Sequence, residues 1–227
     1  LPMRRLRILP LVLSALFTAA AARAQVFIPD QLERDWLNGL IPGIVDAGGV
    51  MDTLHPGIAQ VDSAMFLFNS VPASIDLVGI AYLSALERFN LHSSVPFDGL
   101  EGYLPIVVEG FPSSLRRLDI SVMAERDVEI HLPVLPQQMD WIKVDLSFAS
   151  GWLDIAALPE YVGRMELTRI DSLSWPGTGH AGRLDLADGY DSDPMDLTIP
   201  SLVIDTEARL WRPYVNRLDM SAVACNA

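Results

Sequence analysis

Charged and hydroxyl side chains recur in this sequence at a spacing of two residues. The strings "RLDIS", "KVDLS", "RMELT", "RLDLA" and "RLDMS" each place a carboxylate two residues after a basic residue, and most add a hydroxyl two residues later. Side chains of these types suit ion pairing with a partner, or acid–base chemistry on a glycosidic bond by two carboxylates. The candidate partner-binding residues are Arg88, Arg117, Asp119, Lys143, Asp145, Arg164, Glu166, Arg183, Asp185, Arg217 and Asp219.

Other catalytic and metal-binding patterns are weak or missing in the sequence. The four histidines are widely separated, and no nucleophile elbow, phosphate-binding glycine loop or dinucleotide fingerprint occurs. The acidic stretch "DLADGYDSDPMD" has the carboxylate density of a calcium site but not the spacing of a helix–loop–helix calcium loop, so a solvated acidic turn is the preferred interpretation. We therefore predict no catalytic residues, no metal and no cofactor.

The elements that carry the charged strings are predicted to be β-strands. Apolar and polar residues alternate strictly in each string, which is typical of a strand with one buried face. The apolar residues predicted to enter the core are the pairs Phe89/Leu91, Leu118/Ile120, Val144/Leu146, Met165/Leu167, Leu184/Leu186 and Leu218/Met220. The charged and hydroxyl residues between them would form basic, acidic and hydroxyl columns on the opposite face. One role for these columns is an ion-pair lattice that fixes strand register.

The repeated strands resemble those of leucine-rich repeat proteins. The basic residues follow one another at intervals of 19 to 34 residues, and "LPVLPQQMDWIKVDLS" and "LPEYVGRMELT" resemble the proline-containing repeats of exported members of that family. The family's turn asparagine is missing. The resemblance implies an α/β-type solenoid, an irregular stack with one parallel β-sheet whose exposed face binds partners. A parallel β-helix or an irregular sandwich is the alternative.

The N-terminal part of the chain differs from the repeats. Residues 1–24 combine an arginine-rich start with an apolar run and the small residues of a cleavage site after Ala24, which predicts a signal peptide and a secreted or cell-surface protein. Residues 25–60 are predicted to form a capping helix and linker, in which Asp30 and Glu33 resemble a capping box. The remaining divisions are degenerate repeats at 61–204 and a last repeat with a C-terminal cap at 205–227.

Charge limits the kinds of partner. Removal of residues 1–24 leaves 12 basic against 29 acidic side chains, a net charge of −17, which argues against nucleic acid and against anionic membranes. The sequence therefore predicts a non-catalytic recognition or adhesion protein that binds a protein or glycan partner through the exposed sheet face, without membrane insertion after signal cleavage. The alternatives are a carbohydrate-active enzyme on a parallel β-helix, with Asp145 and Glu166 as its carboxylates, and a degenerate repeat protein without activity of its own.

Overall fold

The computed structural model describes residues 25–68, 72–93, 103–124, 127–146, 151–187, 195–211 and 215–226. The predicted signal peptide at 1–24 lies outside these residues. Strands are numbered β1 to β17 in chain order. The single α-helix of the described residues, α1, spans Gln31–Leu40, and two short 3-10 helices span Pro56–Gln60 and Gly79–Tyr82.

Helix α1 begins at the predicted cap, but its glutamate has another role. The Asp30 carboxylate accepts hydrogen bonds from the backbone N–H groups of Leu32 and Glu33, as expected of an N-cap. The Glu33 carboxylate does not accept a hydrogen bond from the Asp30 backbone N–H, as a capping box would require. Its carboxylate accepts instead from the N–H groups of Val78 and Gly79, at 3.0 and 2.7 Å, and so caps the second 3-10 helix. No helix among the described residues is long and apolar enough to cross a membrane.

The larger sheet contains eight parallel strands. Their order across the sheet follows the sequence, with every second strand of the chain as a member. These strands are β3 (Ser63–Phe68), β5 (Arg88–Ser93), β7 (Arg117–Val122), β9 (Gln138–Asp145), β11 (Tyr161–Thr168), β13 (Gly179–Ala187), β15 (Leu202–Trp211) and β17 (Val223–Cys225).

The intervening strands form a second parallel sheet. Its five members are β4 (Ile75–Leu77), β6 (Leu104–Val108), β8 (Val128–Val134), β10 (Gly151–Ala157) and β12 (Ser172–Ser174). Two further pairs are β14 (Met195–Thr198) with β16 (Val215–Asp219), which is parallel, and β1 (Gln25–Phe27) with β2 (Val50–Asp52), which is antiparallel. The chain alternates between the two sheets and so forms a parallel β-solenoid of about five turns.

The core lies between the two sheets. The predicted apolar pairs of β5, β7, β9, β11 and β13 are buried, with Leu146 placed just after β9, and all are at most 8% exposed. The expectation of a single sheet is wrong, because the return segments are strands as well. In β6, for example, Leu104, Ile106 and Val108 all point into the core. Two facing sheets bury apolar side chains from both sides, so each turn contributes more buried surface than one strand and an irregular return would.

The N-terminal end of this core is closed by α1. The Trp36 ring packs edge-on against Phe66 and Phe89, with ring centroids 5.3 and 6.0 Å away. Its indole N–H donates to the Met65 carbonyl on the edge strand β3, at 2.7 Å. The predicted capping helix is therefore present, and it is attached to the solenoid by both apolar packing and hydrogen bonds.

Candidate functional site

The outer face of the eight-stranded sheet carries three rows of side chains that run across the strands. Parallel pairing sets residues from successive strands directly beside one another. The first row is Ser63, Arg88, Arg117, Trp141, Arg164, Arg183 and Glu207. The second is Met65, Asn90, Asp119, Lys143, Glu166, Asp185 and Arg209. The third is Leu67, His92, Ser121, Asp145, Thr168, Ala187 and Trp211.

Nine of the eleven predicted site residues lie on this face, but β9 is two residues out of the expected register. The basic residues of β5 and β7 are paired, as are those of β11 and β13, whereas Lys143 lies beside Asp119 and Glu166. Trp141 takes the place expected for a basic residue. The sequence pattern cannot detect this shift, because a displacement of two residues preserves which face each side chain occupies.

The last predicted repeat belongs elsewhere. Arg217 and Asp219 are in β16, where they pair with Asp196 and Thr198 of β14. They are therefore not part of the rows on the eight-stranded sheet. The strand that follows β13 in that sheet is β15, which has Glu207 and Arg209 in the reverse charge order.

Six alternating charges on β11, β13 and β15 form what we call the ion-paired ladder, namely Glu166, Arg164, Asp185, Arg183, Glu207 and Arg209. The guanidinium of Arg164 lies 2.7 Å from Glu166 and donates to Asp185 at 2.8 Å. Arg183 donates to the other oxygen of Asp185 through two nitrogens, at 2.9 and 2.8 Å. Beyond these pairs, Glu207 lies 3.9 Å from Arg183 and 2.7 Å from Arg209.

Asp185 is the centre of the ladder. Its side chain is 7% exposed, and that burial by itself raises the pKa of the carboxyl, but hydrogen bonds from Arg183 and Arg164 outweigh it and hold the pKa below its usual value. Two neighbouring arginines would repel each other across the strands, and the shared carboxylate removes that repulsion. The ladder has three positive and three negative charges, so this half of the face is neutralised internally.

The two carboxylates considered for glycoside chemistry are also held by neighbours. Glu166 accepts a hydrogen bond from the Trp141 indole at 2.8 Å, in addition to its contact with Arg164. Asp145 lies 3.9 Å from the Lys143 ammonium, which is also 3.7 Å from Asp119. These contacts show that each of the two carboxylates lies beside a cation. Among the described residues, no feature indicates that either one takes part in cleaving a bond.

The other half of the face, on β3, β5 and β7, is open. Met65 and Leu67 point outward although they are apolar, with 54% and 51% of their surface exposed. Next to them a shallow depression of about 240 Å³ is lined by Met65, Asn90, Leu91, His92, Asp119 and Ser121. The side chains of Asn90, His92 and Ser121 make no hydrogen bond or ion pair within the described part of the chain. We call Met65, Leu67, Asn90, His92 and Ser121 the open patch.

Sequence reasoning found only part of the open patch. The alternation about the apolar pairs Phe89/Leu91 and Leu118/Ile120 puts Asn90, His92 and Ser121 on the outer face, but it does not reach Met65 and Leu67. The signal for them is present in "SAMFLF", where apolar residues occupy both faces of one strand. Strands of this sheet bury one face each. A strand that is apolar on both faces therefore indicates either a second covering layer or a contact surface.

The acidic stretch does not form a described metal site. Asp185 is engaged in the ladder, Asp188, Asp191 and Asp193 lie outside the described residues, and the side chain of Asp196 is not described either. Within the ranges that the structure covers, no group of three His, Cys, Asp or Glu residues is arranged to hold a metal ion.

Comparison with known proteins gave no matching family model, no matching curated protein and no matching solved structure. The function is therefore argued from the geometry of the two sheet faces.

Proposed function

We propose that this protein is an exported, non-catalytic recognition protein that binds a protein partner through the open patch. The observation that carries the proposal is the contrast between the two halves of one sheet face. The ion-paired ladder satisfies its own charges, whereas the open patch combines two exposed apolar side chains with polar groups that have no partner among the described side chains. Exposed apolar residues beside unsatisfied hydrogen-bonding groups are the composition expected of a protein contact surface.

The proposal divides the predicted site residues into two roles. Arg164, Glu166, Arg183 and Asp185 are assigned to the lattice that fixes strand register, because their charged groups are already paired. Asp119 borders the open patch and is assigned to binding, since it lines the same depression. A protein is preferred to a glycan because Met65 and Leu67 offer no hydrogen bonds to sugar hydroxyls.

Export and the relationship to leucine-rich repeat proteins are further parts of the proposal. Export is supported by the arginine-rich start and apolar run of residues 1–24. The relationship is supported by the buried Leu-x-Leu-type pairs in successive parallel strands. Strands on the return side are the feature that distinguishes this chain from the repeats it resembles.

The proposal is tested by capture of partners from culture medium on the immobilised full chain. The binding variant carries Met65→Ser and Leu67→Ser. The matched control carries Leu54→Ser and Val134→Ser, which remove two other exposed apolar side chains, at 72% and 64% exposure, outside the open patch. Circular dichroism and urea unfolding establish that both variants keep the wild-type fold.

We expect a defined protein captured by the wild type and the control to be reduced at least tenfold on the binding variant. Equal capture by all three would contradict the proposal, as would the absence of any protein captured above a blank surface. The double reversal Arg164→Glu with Arg183→Glu is expected to lower the urea midpoint, because it leaves five carboxylates in the ladder with Arg209 as its remaining cation. A binding loss in that reversal without loss of stability would assign recognition to the ladder instead.

A further inference from the structure

The outer face of the five-stranded sheet has a charge pattern unlike that of the eight-stranded sheet. Its five strands contain no Lys or Arg, and their outward positions include Asp76, Glu129 and Asp154. On the eight-stranded sheet, by contrast, carboxylates lie close to cations, with Lys143 3.7 Å from Asp119 and Arg164 2.8 Å from Asp185. The five-stranded face therefore has negative charge that its own strands do not neutralise.

One imidazole lies between two of these carboxylates. Nε2 of His131 is 3.0 Å from Glu129, whereas its Nδ1 is 3.6 Å from Asp154, which is longer than a hydrogen bond. A neutral imidazole has a single N–H and can donate to only one carboxylate at a time. Asp154, with 53% of its side chain exposed, keeps acceptor capacity toward solvent.

An aromatic pair borders the same carboxylates. Trp152 is directly beside Glu129 in the strand register, two residues before Asp154 on β10. The ring of Tyr103, which is 53% exposed, meets the Trp152 ring edge-on at a centroid distance of 4.8 Å. An edge-on contact leaves much of an aromatic face open to another group.

We propose that Tyr103, Glu129, His131, Trp152 and Asp154 form a binding surface for arginine side chains of a basic, extended protein segment. The carboxylates accept hydrogen bonds from the guanidinium N–H groups, and the aromatic rings stack against the flat face of the guanidinium. Arginine fits better than lysine because its planar group stacks on aromatic rings and binds carboxylates through two nitrogens at once. This surface is on the opposite sheet from the open patch, so the inference stands independently of the proposed function.

The probe is a capped hexapeptide in which arginine and serine alternate, with its lysine counterpart as the comparison. Alternation sends successive basic side chains of an extended peptide to one face, about 7 Å apart. Binding to the full chain is measured by fluorescence anisotropy of the labelled peptides at low and at physiological salt. Three variants are compared with the wild type: Glu129→Gln with Asp154→Asn, Trp152→Leu, and the control Glu87→Gln with Asp140→Asn, which removes the same charge from two exposed positions elsewhere.

We expect the arginine peptide to bind the wild type and the control alike, within about twofold, and to bind the Glu129/Asp154 variant at least about fivefold more weakly. The lysine peptide should bind the wild type about two- to fivefold more weakly than the arginine peptide, and Trp152→Leu should reduce that preference, since Tyr103 and the carboxylates remain. The inference is overturned if neither peptide binds, if the control weakens binding as much as the Glu129/Asp154 variant, or if the arginine preference is as large in Trp152→Leu as in the wild type. Trp152→Val, which also lacks an aromatic ring and suits a strand, gives the same comparison should Trp152→Leu fail to fold.

Discussion

Replacement of Glu33 by glutamine is expected to remove a decline in stability that the wild type shows between pH 5 and pH 8. The Glu33 side chain is fully buried, and its carboxyl accepts from two backbone N–H groups, with no ion pair to a cation among the residues that the structure describes. Burial raises the pKa of Glu33 from 4.5 to about 7; the Val78 and Gly79 hydrogen bonds lower it, and the negative charges of Asp30 and Glu109 raise it further.

The magnitude follows from the linkage between ionisation and folding. The unfolded chain ionises this group near 4.5, so the native state holds the proton more tightly between pH 4.5 and about 7. The stability that Glu33 contributes is therefore fully present below pH 4.5 and is lost as the pH rises through about 7. A pKa difference of this size corresponds to about 3 kcal/mol. Glutamine does not ionise, so the variant avoids that pH-dependent loss. Its amide NH2 cannot accept one of the two backbone N–H groups, which adds a cost that does not depend on pH.

Urea unfolding at half-unit steps from pH 5 to pH 8 measures the effect. The free energy of unfolding of the wild type should fall by about 3 kcal/mol relative to that of Glu33→Gln between pH 5 and pH 8. Asp35→Asn is the matched control, because Asp35 is an exposed carboxylate on the same helix. The reasoning fails if Glu33→Gln has the same pH slope as the wild type, or if it is destabilised equally at every pH.

Two further comparisons test the ladder and the spacing of the turns. Asp185→Asn should lower the free energy of unfolding in urea by about 1–3 kcal/mol at pH 7, and by more than Glu207→Gln at an exposed position; equal losses would contradict the central position of Asp185 in the ladder. Because the pKa of Asp185 is lowered by folding, its contribution should be present above pH 3.8 and lost as the pH falls below that value. Gly151→Ala should be strongly destabilising, because its Cβ would lie 2.0 Å from the Val128 carbonyl oxygen, whereas Gly39→Ala meets no atom and should raise the melting temperature slightly.

The sequence predicts the buried face of the repeated strands of the larger sheet well, because that face depends on alternation alone. Phe89 and Leu91 enter the core, and Asn90 between them faces outward, as the pattern requires. A residue's side of the sheet is fixed by its position along its own strand. Neighbouring strands are not needed to determine it.

Register and sheet membership are the parts that alternation cannot supply. Lys143 was aligned with Arg117, but a shift of two residues brings Trp141 beside Arg117 and Lys143 between two carboxylates, at no cost to the core. The observed register of β9 is the one that sets charges of opposite sign side by side. Arg217 was assigned to the wrong sheet for a similar reason, since strands of both sheets have the same alternation.

The candidate surfaces depend on contacts between strands and were predicted only in part. His131 appeared isolated in the sequence, yet Asp154, one turn further along the chain, is beside it in the structure. Glu33 was predicted to cap its own helix, but it reaches a segment 45 residues away. Local patterns identify such residues as unusual without identifying their partners.

The hydrogen bond from Trp36 to the Met65 carbonyl bears on whether copies of this solenoid can stack end to end. A parallel solenoid has an edge strand at each end, and the free backbone groups of an edge strand can accept the strand of another molecule. At the N-terminal end the indole occupies one of these groups, and the ten residues of α1 cover the core beneath it. We therefore expect the helix to block end-to-end association, so that a variant without α1 forms larger species, which light scattering would detect.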